Sequence, residues 1–162
     1  MSITATLPAD PTTRRTRARR GGLAIVAIAL LAVALAGCMP DDARTFLDRT
    51  NSVRKSEGVR TLAENDTLTQ KAEAWAQHMA STGTLQHSTL SAGLGSLGWT
   101  ALGENVGYSS PTSNTLLTIH NKFVGSAPHY AILVDSRWTH MGVGVARDSS
   151  GRIWVAEVFA RL

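Results

Sequence analysis

The chain has 162 residues, 16 Lys and Arg against 12 Asp and Glu, and one cysteine. A basic balance in a small protein points first to nucleic acid or a membrane surface. Residues 1–37, however, hold Arg14, Arg15, Arg17, Arg19 and Arg20 against Asp10 alone, so the whole excess of +4 lies there. The rest of the chain carries 11 basic and 11 acidic side chains. It has no basic cluster to follow a phosphate backbone, which argues against nucleic acid as a partner. Cys38 has no second cysteine for an intrachain disulfide. The remaining residues, about 125, suffice for one domain that buries roughly two-thirds of its unfolded surface.

The first 38 residues fall into three parts. A polar, Arg-rich stretch runs to Arg20, an apolar run follows from Leu23 to Ala36, and Leu35-Ala36-Gly37-Cys38 closes the segment. The apolar run has 14 residues. As a helix it would span about 21 Å against a hydrocarbon core of about 30 Å. The order of basic region, short apolar region and small residues is that of an export signal. Leu-Ala-Gly-Cys resembles a bacterial lipobox, in which the chain is cleaved before the cysteine and the thiol is acylated. The expected layout is a lipoprotein-type signal over residues 1–37, a short tether over 38–42 with Cys38 as the lipidation site, and a domain over 43–162. An ordinary signal with an incidental cysteine is the alternative. The paired arginines also raise twin-arginine export, though such pairs are common in leaders.

In the body, Asp41-Asp42 open a helix with Phe46, Leu47, Thr50 and Val53 at helical spacing, and Gly58 ends it. A second helix starts at the capping-box pattern Thr67-x-x-Gln70, presents Leu68, Ala72, Trp75, Ala76 and Met79 on one face, and stops at Gly83. Residues 84–114 are rich in Gly, Ser and Thr without a sustained period and read as a long ordered loop. A third helix covers Asn114 to Val124 through Leu116, Leu117, Ile119 and Phe123. A fourth begins at Ser126-Ala127-Pro128, with Ser126 as N-cap and Pro128 in the first turn. The period then changes. Met141, Val143 and Val145 alternate with Gly142 and Gly144, Asp148 to Gly151 turn the chain, and Ile153 to Ala160 form a second strand apolar on both faces. That second strand is expected to be central in a sheet. The glycine face of the first strand implies close approach by a neighbouring element. Helices, loop, helices and a hairpin make an α+β fold.

The body has five histidines, and no HExxH, CxxC or GxSxG pattern. His78 lies off the apolar stripe and reads as a boundary or surface residue, and His120, mid-helix among apolar residues, as a satisfied structural histidine. His87 sits in a loop just past a helix end, where a side chain can face a cleft. His129 falls in the first turn of a helix, where the dipole disfavours imidazolium and favours a neutral ring able to bind a metal or take a proton. Glu104, in Gly103-Glu104-Asn105, is an acid among small and apolar residues and needs a histidine or cation as partner.

These residues also carry a family resemblance. In order the chain contains Asn51-Ser-Val-Arg54 with Gly58 and Leu62, Trp75-Ala-Gln-His-Met79, Leu85-Gln-His87-Ser88, Gly103-Glu104-Asn105-Val106, Phe123-Val-Gly-Ser126-Ala-Pro-His129-Tyr130, and Met141-Gly-Val-Gly-Val145. The set resembles the CAP superfamily of cysteine-rich secretory, antigen 5 and pathogenesis-related 1 proteins, also called SCP domains, and is most like its bacterial secreted members. The resemblance spans about residues 43–160. It implies an α-β-α sandwich with a small antiparallel sheet between helical layers. It also implies a cleft lined by two histidines and two acids, which in some members holds zinc or another divalent cation. The histidines fall on His87 and His129 and the first acid on Glu104. The second acid, three residues before the second histidine, is replaced by Ser126. Two imidazoles with at most one carboxylate suit zinc better than calcium or magnesium. Ser126 either bonds within the cleft or caps the helix, and the cap is the expected role.

The resemblance implies first an exported protein, at the outer face of the cell membrane through lipid on Cys38 or secreted. Its His/Glu cleft would bind a divalent metal or a small envelope ligand such as a lipid, peptide or muropeptide. A second reading is a metal-assisted or acid/base hydrolase with His87, Glu104 and His129 as ligands or proton carriers and Glu104 as general base. A third is an extracellular interaction module without a working site. Ser88, Tyr108 and His140 are further candidates to line the cleft, and Glu157 on the last strand requires a partner inside the fold.

Overall fold

The computed structural model describes residues 40–162. The expected export signal over residues 1–37 and Cys38 lie outside the described residues. Helix α1 (Asp41–Ser56) leads to the two-residue strand β1 (Ala63–Glu64), followed by helix α2 (Asp66–Thr82) and strand β2 (Ala101–Ser109). Helices α3 (Thr115–Val124) and α4 (Ala127–Leu133) precede strands β3 (His140–Arg147) and β4 (Ile153–Arg161). Among the described residues no helix is long and apolar enough to cross a membrane.

The strands form one sheet in the order β1-β3-β4-β2. β4 pairs antiparallel with both β3 and β2 and is central, as its two apolar faces require. The sheet is mixed and not purely antiparallel, because β1 runs parallel to β3 through Ala63–His140 and Glu64–Met141. Side-chain alternation along β4 divides the core in two. Ile153, Val155 and Phe159 pack with Phe46, Leu47, Ile119, Phe123 and Leu133 from α1, α3 and α4. Trp154, Ala156, Val158 and Ala160 pack with Leu68, Ala72 and Met79 from α2. The architecture is the α-β-α sandwich of an α+β fold.

Gly142 and Gly144 explain how closely α2 approaches. A Cβ on Gly142 would fall into the backbone of Leu68 and Thr69, and one on Gly144 into that of Ala72 and Glu73. The glycine face of β3 is therefore the bed on which the helix backbone rests.

Three local expectations need correction. The cap of α2 is Asn65, in extended backbone, whose side chain accepts from Leu68 N at 3.1 Å; the Thr67-x-x-Gln70 pattern lies inside the helix. Residues 84–114 are not one loop, because Ala101 to Ser109 pair along their whole length with β4. Gly103, Glu104, Asn105 and Gly107 break the apolar alternation of that strand, and the pairing supplied by β4 overrides their weak β preference. Ser126 does occupy the N-cap position of α4, but its side chain makes no capping bond.

Candidate functional site

β2 is an edge strand, and its consecutive residues Glu104 and Asn105 face opposite layers of the sandwich. On one side, Glu104 Oε1 accepts a hydrogen bond from Ser88 N at 2.9 Å and lies 2.8 Å from His87 Nδ1. The pair is lopsided. The Glu104 side chain is 1% exposed and that of His87 63% exposed, so a buried carboxylate holds an imidazole that reaches into solvent. Glu104 Oε2 is buried without a hydrogen-bond partner.

The loop carrying His87 is pinned from α2. Trp75 Nε1 donates to Gln86 O at 2.9 Å, and Lys71 Nζ donates to Thr89 O at 2.9 Å and Ala92 O at 3.1 Å. The Lys71 ammonium is held below its ordinary pKa by burial, an effect that the negative charge of Glu104 opposes. These clamps escaped the sequence reading, since Trp75 counted there only as an apolar helix position.

On the other side, Asn105 Nδ2 donates to His129 O and to Glu157 Oε2, both at 3.2 Å. Glu157 is fully buried and also accepts from Thr50 Oγ1 at 2.7 Å, which supplies the internal partner its position demanded. Burial pushes its carboxyl up to about 7, with the Thr50 and Asn105 bonds acting in the opposite sense. The His129 ring stacks on Phe123, six residues earlier, with centroids 5.1 Å apart and planes at 20°. Its Nδ1 lies 2.7 Å from Ser126 Oγ. The expected cap role of Ser126 therefore gives way to a bond within the cleft. A hydroxyl three residues before His129 stands where a second acid was expected, and it orients the imidazole without adding charge.

Burial, and then the nearby charge of His87, hold His129 below the ordinary imidazole pKa, so its ring is neutral at pH 7. The two histidines thus approach one another from opposite layers. Both Nδ1 atoms are committed to oxygens, and neither Nε2 has a hydrogen-bond partner among the described residues. Beside His129 opens a cavity of about 530 Å³ walled by Leu85, Val106, Tyr108, Ile119 and Phe123, with Lys122 at its edge. Tyr108 lies in its wall. His140 does not, because it begins β3 beside Ala63 at the β1 side of the sheet, with Thr139 Oγ1 2.8 Å from its Nδ1. Ser88 contributes its backbone N–H to Glu104, and its hydroxyl is buried without a partner.

The described residues that could hold a cation are His87 and His129, whose Nε2 atoms are uncommitted, with further positions left to water or ligand atoms. Orienting a metal-binding imidazole through its other nitrogen is the usual second-layer arrangement. Among the described residues no three His, Cys, Asp or Glu side chains converge closely enough to hold a metal ion by themselves.

A mixed sheet between helical layers is the architecture of a CAP-type, or SCP, domain. The model of the cysteine-rich secretory protein family (CAP) matches residues 47–158, and the chain belongs to that family. No curated protein sequence matches the chain. Similar solved structures include an extracellular protein containing an SCP domain from Bacillus anthracis, at 22% identity and a TM-score of 0.63, with 75% of this chain and 40% of that one covered. A cysteine-rich secretory protein from Staphylococcus aureus is similar at 23% identity and a TM-score of 0.60, with coverages of 78% and 41%. An outer surface protein from Borrelia burgdorferi is similar at 14% identity and a TM-score of 0.65, with coverages of 77% and 96%. The chain thus spans about two-fifths of the Bacillus and Staphylococcus proteins and nearly all of the Borrelia one.

Proposed function

We propose that this CAP domain is displayed outside the cell and binds a small envelope ligand in the cleft at the edge of β2, with zinc as a divalent guest at His87 and His129. The arginine-rich leader and the Leu-Ala-Gly-Cys38 segment support export and attachment through lipid on Cys38. The cavity walls suit a ligand with an apolar body, such as a lipid, a peptide or the peptide part of a muropeptide. One observation carries the reading: His87 and His129, on opposite sides of β2, are each fixed at Nδ1 by an oxygen with Nε2 uncommitted, and His129 lines the cavity. When bound, a zinc ion would supply positive charge to polarise a ligand oxygen. His87 and His129 would hold it, with Glu104 and Ser126 orienting their rings.

Binding is favoured over hydrolysis because the Glu104 side chain is 1% exposed and one of its oxygens already serves His87 and Ser88. A general base must reach the proton it abstracts. The test is calorimetric titration of the full chain with zinc, and separately with muropeptides and phospholipid micelles. Saturable zinc binding that vanishes in the His87→Ala/His129→Ala variant is the expected result. Equal zinc binding by the variant, or no saturable heat with any of these ligands, would overturn the reading.

A further inference from the structure

A second cavity, of about 500 Å³, lies between α1 and α3 and shares no lining residue with the cleft beside His129. Its walls include Asp48, Arg49 and Ser52 of α1 and Leu117, His120 and Asn121 of α3. Two of these residues present buried nitrogens that the fold leaves unanswered. His120 is 5% exposed and its Nε2 has no hydrogen-bond partner, and Arg49 Nε is likewise buried without one. The His120 ring meets Phe46 edge-on at 5.5 Å, which positions it without satisfying Nε2. Burial and the neighbouring Arg49 charge hold the imidazole neutral, so one ring nitrogen can donate.

Buried polar groups in folded proteins are paired with protein, water or ligand, and an unpaired donor carries its full desolvation cost. A guanidinium nitrogen can only donate, so whatever satisfies Arg49 must offer an acceptor. Asp48 is adjacent in the chain and also lines the groove, but forms no ion pair with Arg49 among the described residues. Arg49 and His120 therefore bring two unanswered nitrogens to the same walls. Ser52 and Asn121 add a hydroxyl and an amide to the same walls.

We infer that the groove between α1 and α3 is a second binding site, for a small oxyanion of phosphate or carboxylate type held by Arg49 and His120. The oxygens of such an anion match the guanidinium fork and leave an acceptor for the imidazole N–H. The site is independent of the cleft at β2, so its fate does not depend on the function proposed for that cleft.

The experiment is a titration of the full, 15N-labelled chain with inorganic phosphate and, separately, acetate, following the His120 ring resonances, with sodium chloride matched for ionic strength. The source of a phosphate group is resolved in a third arm, using vesicles of phosphatidylglycerol against vesicles of phosphatidylcholine. Saturable shifts of the His120 ring with phosphate or acetate, absent with chloride, are expected. The affinity should fall by about tenfold or more in Arg49→Met, which keeps the aliphatic stem but loses the charge-assisted bonds. It should stay unchanged in His87→Ala. A response only to phosphatidylglycerol vesicles assigns the oxyanion to a lipid headgroup. Shifts that merely follow ionic strength, or that persist at full affinity in Arg49→Met, would overturn the site. Because Arg49 is only partly buried, that variant tests the proposal even if substitutions at buried His120 fail to fold.

Discussion

Glu104 Oε1 lies 2.8 Å from His87 Nδ1, across 17 residues of sequence, with the carboxylate buried and the imidazole exposed. The same oxygen takes the N–H of Ser88. One side chain on an edge strand therefore anchors both the histidine and the backbone that carries it.

Replacing Glu104 with Ala removes both bonds and opens a space beneath the loop. The expected cost is about 1–3 kcal/mol in denaturant unfolding. Hydrogen exchange at the Ser88 amide should accelerate by more than the global loss of stability explains. Glu104→Gln retains an acceptor for both donors and should restore most of the protection.

Ser126→Ala separates the two roles of that residue. Its side chain makes no capping bond, so the loss in stability should stay near the roughly 0.5–1.5 kcal/mol of one hydrogen bond, that to His129. The His129 ring, released from Ser126 Oγ at 2.7 Å, should show a changed tautomer balance in its 15N shifts. Zinc affinity should fall by about 10- to 100-fold, the usual effect of removing a second-layer partner. An unchanged affinity with a large drop in melting temperature would assign the serine to the helix end instead.

Alanine at Gly142 or Gly144 should be among the most damaging single substitutions in the domain. In each case the new Cβ meets backbone of α2 and not the end of a flexible side chain, so neither partner can yield cheaply. About 3 kcal/mol or more of destabilisation is expected from overpacking of this kind, measured as a shift in the denaturation midpoint. Gly103→Ala should also be costly, because its Cβ meets the Trp138 ring at 2.8 Å and that indole is buried and held through Nε1 to Ile132 O.

Glu157 links stability to pH. Burial raises its carboxyl from 4.5 to about 7 in the folded state, so between these values the native protein binds a proton that the unfolded chain lacks. Its contribution is fully present below about pH 4.5 and is lost as pH rises through about 7. Buried His120 and half-buried His129 act in the opposite direction, because both are held below the ordinary value of 6.5 and cost stability as pH falls through it. Glu157→Gln removes the titrating carboxyl and keeps an acceptor for Thr50, but sets an amide nitrogen against Asn105 Nδ2, a loss that is the same at every pH. The stability difference between variant and wild type should grow in favour of the variant from about pH 5 to 8, by an amount on the order of 2–3 kcal/mol. A flat difference across that range would show that Glu157 does not titrate.

Much of the scaffold was legible because it rests on local chemistry. The stripe Leu68, Ala72, Ala76 and Met79 is buried along α2, and Gly83 ends that helix at φ +66°. The alternation of Gly142 and Gly144 with Met141 and Val143 foretold both a strand and a close neighbour. β2 was illegible for the opposite reason. Glu104 and Asn105 sit in it for the sake of groups on two other elements, so their polarity hides the strand that β4 completes. The cap of α2 was misplaced by two residues because Thr67 and Asn65 both satisfy capping rules, and only backbone geometry chooses between them.

The sequence by itself determined where the charge lies, which residues alternate toward a core, and that His87, Glu104 and His129 belong to strings shared with the CAP family. Each of these depends on residues near one another in the chain. Tertiary structure alone decided which groups meet: Ser126 turning from the helix end to His129, His120 buried with no hydrogen-bond partner for its Nε2, and Glu157 bound through Asn105 to the carbonyl of His129. Those outcomes depend on how side chains from separate layers share limited buried space. Local spacing carries no information about that, since burial and distance exist only once the layers have packed.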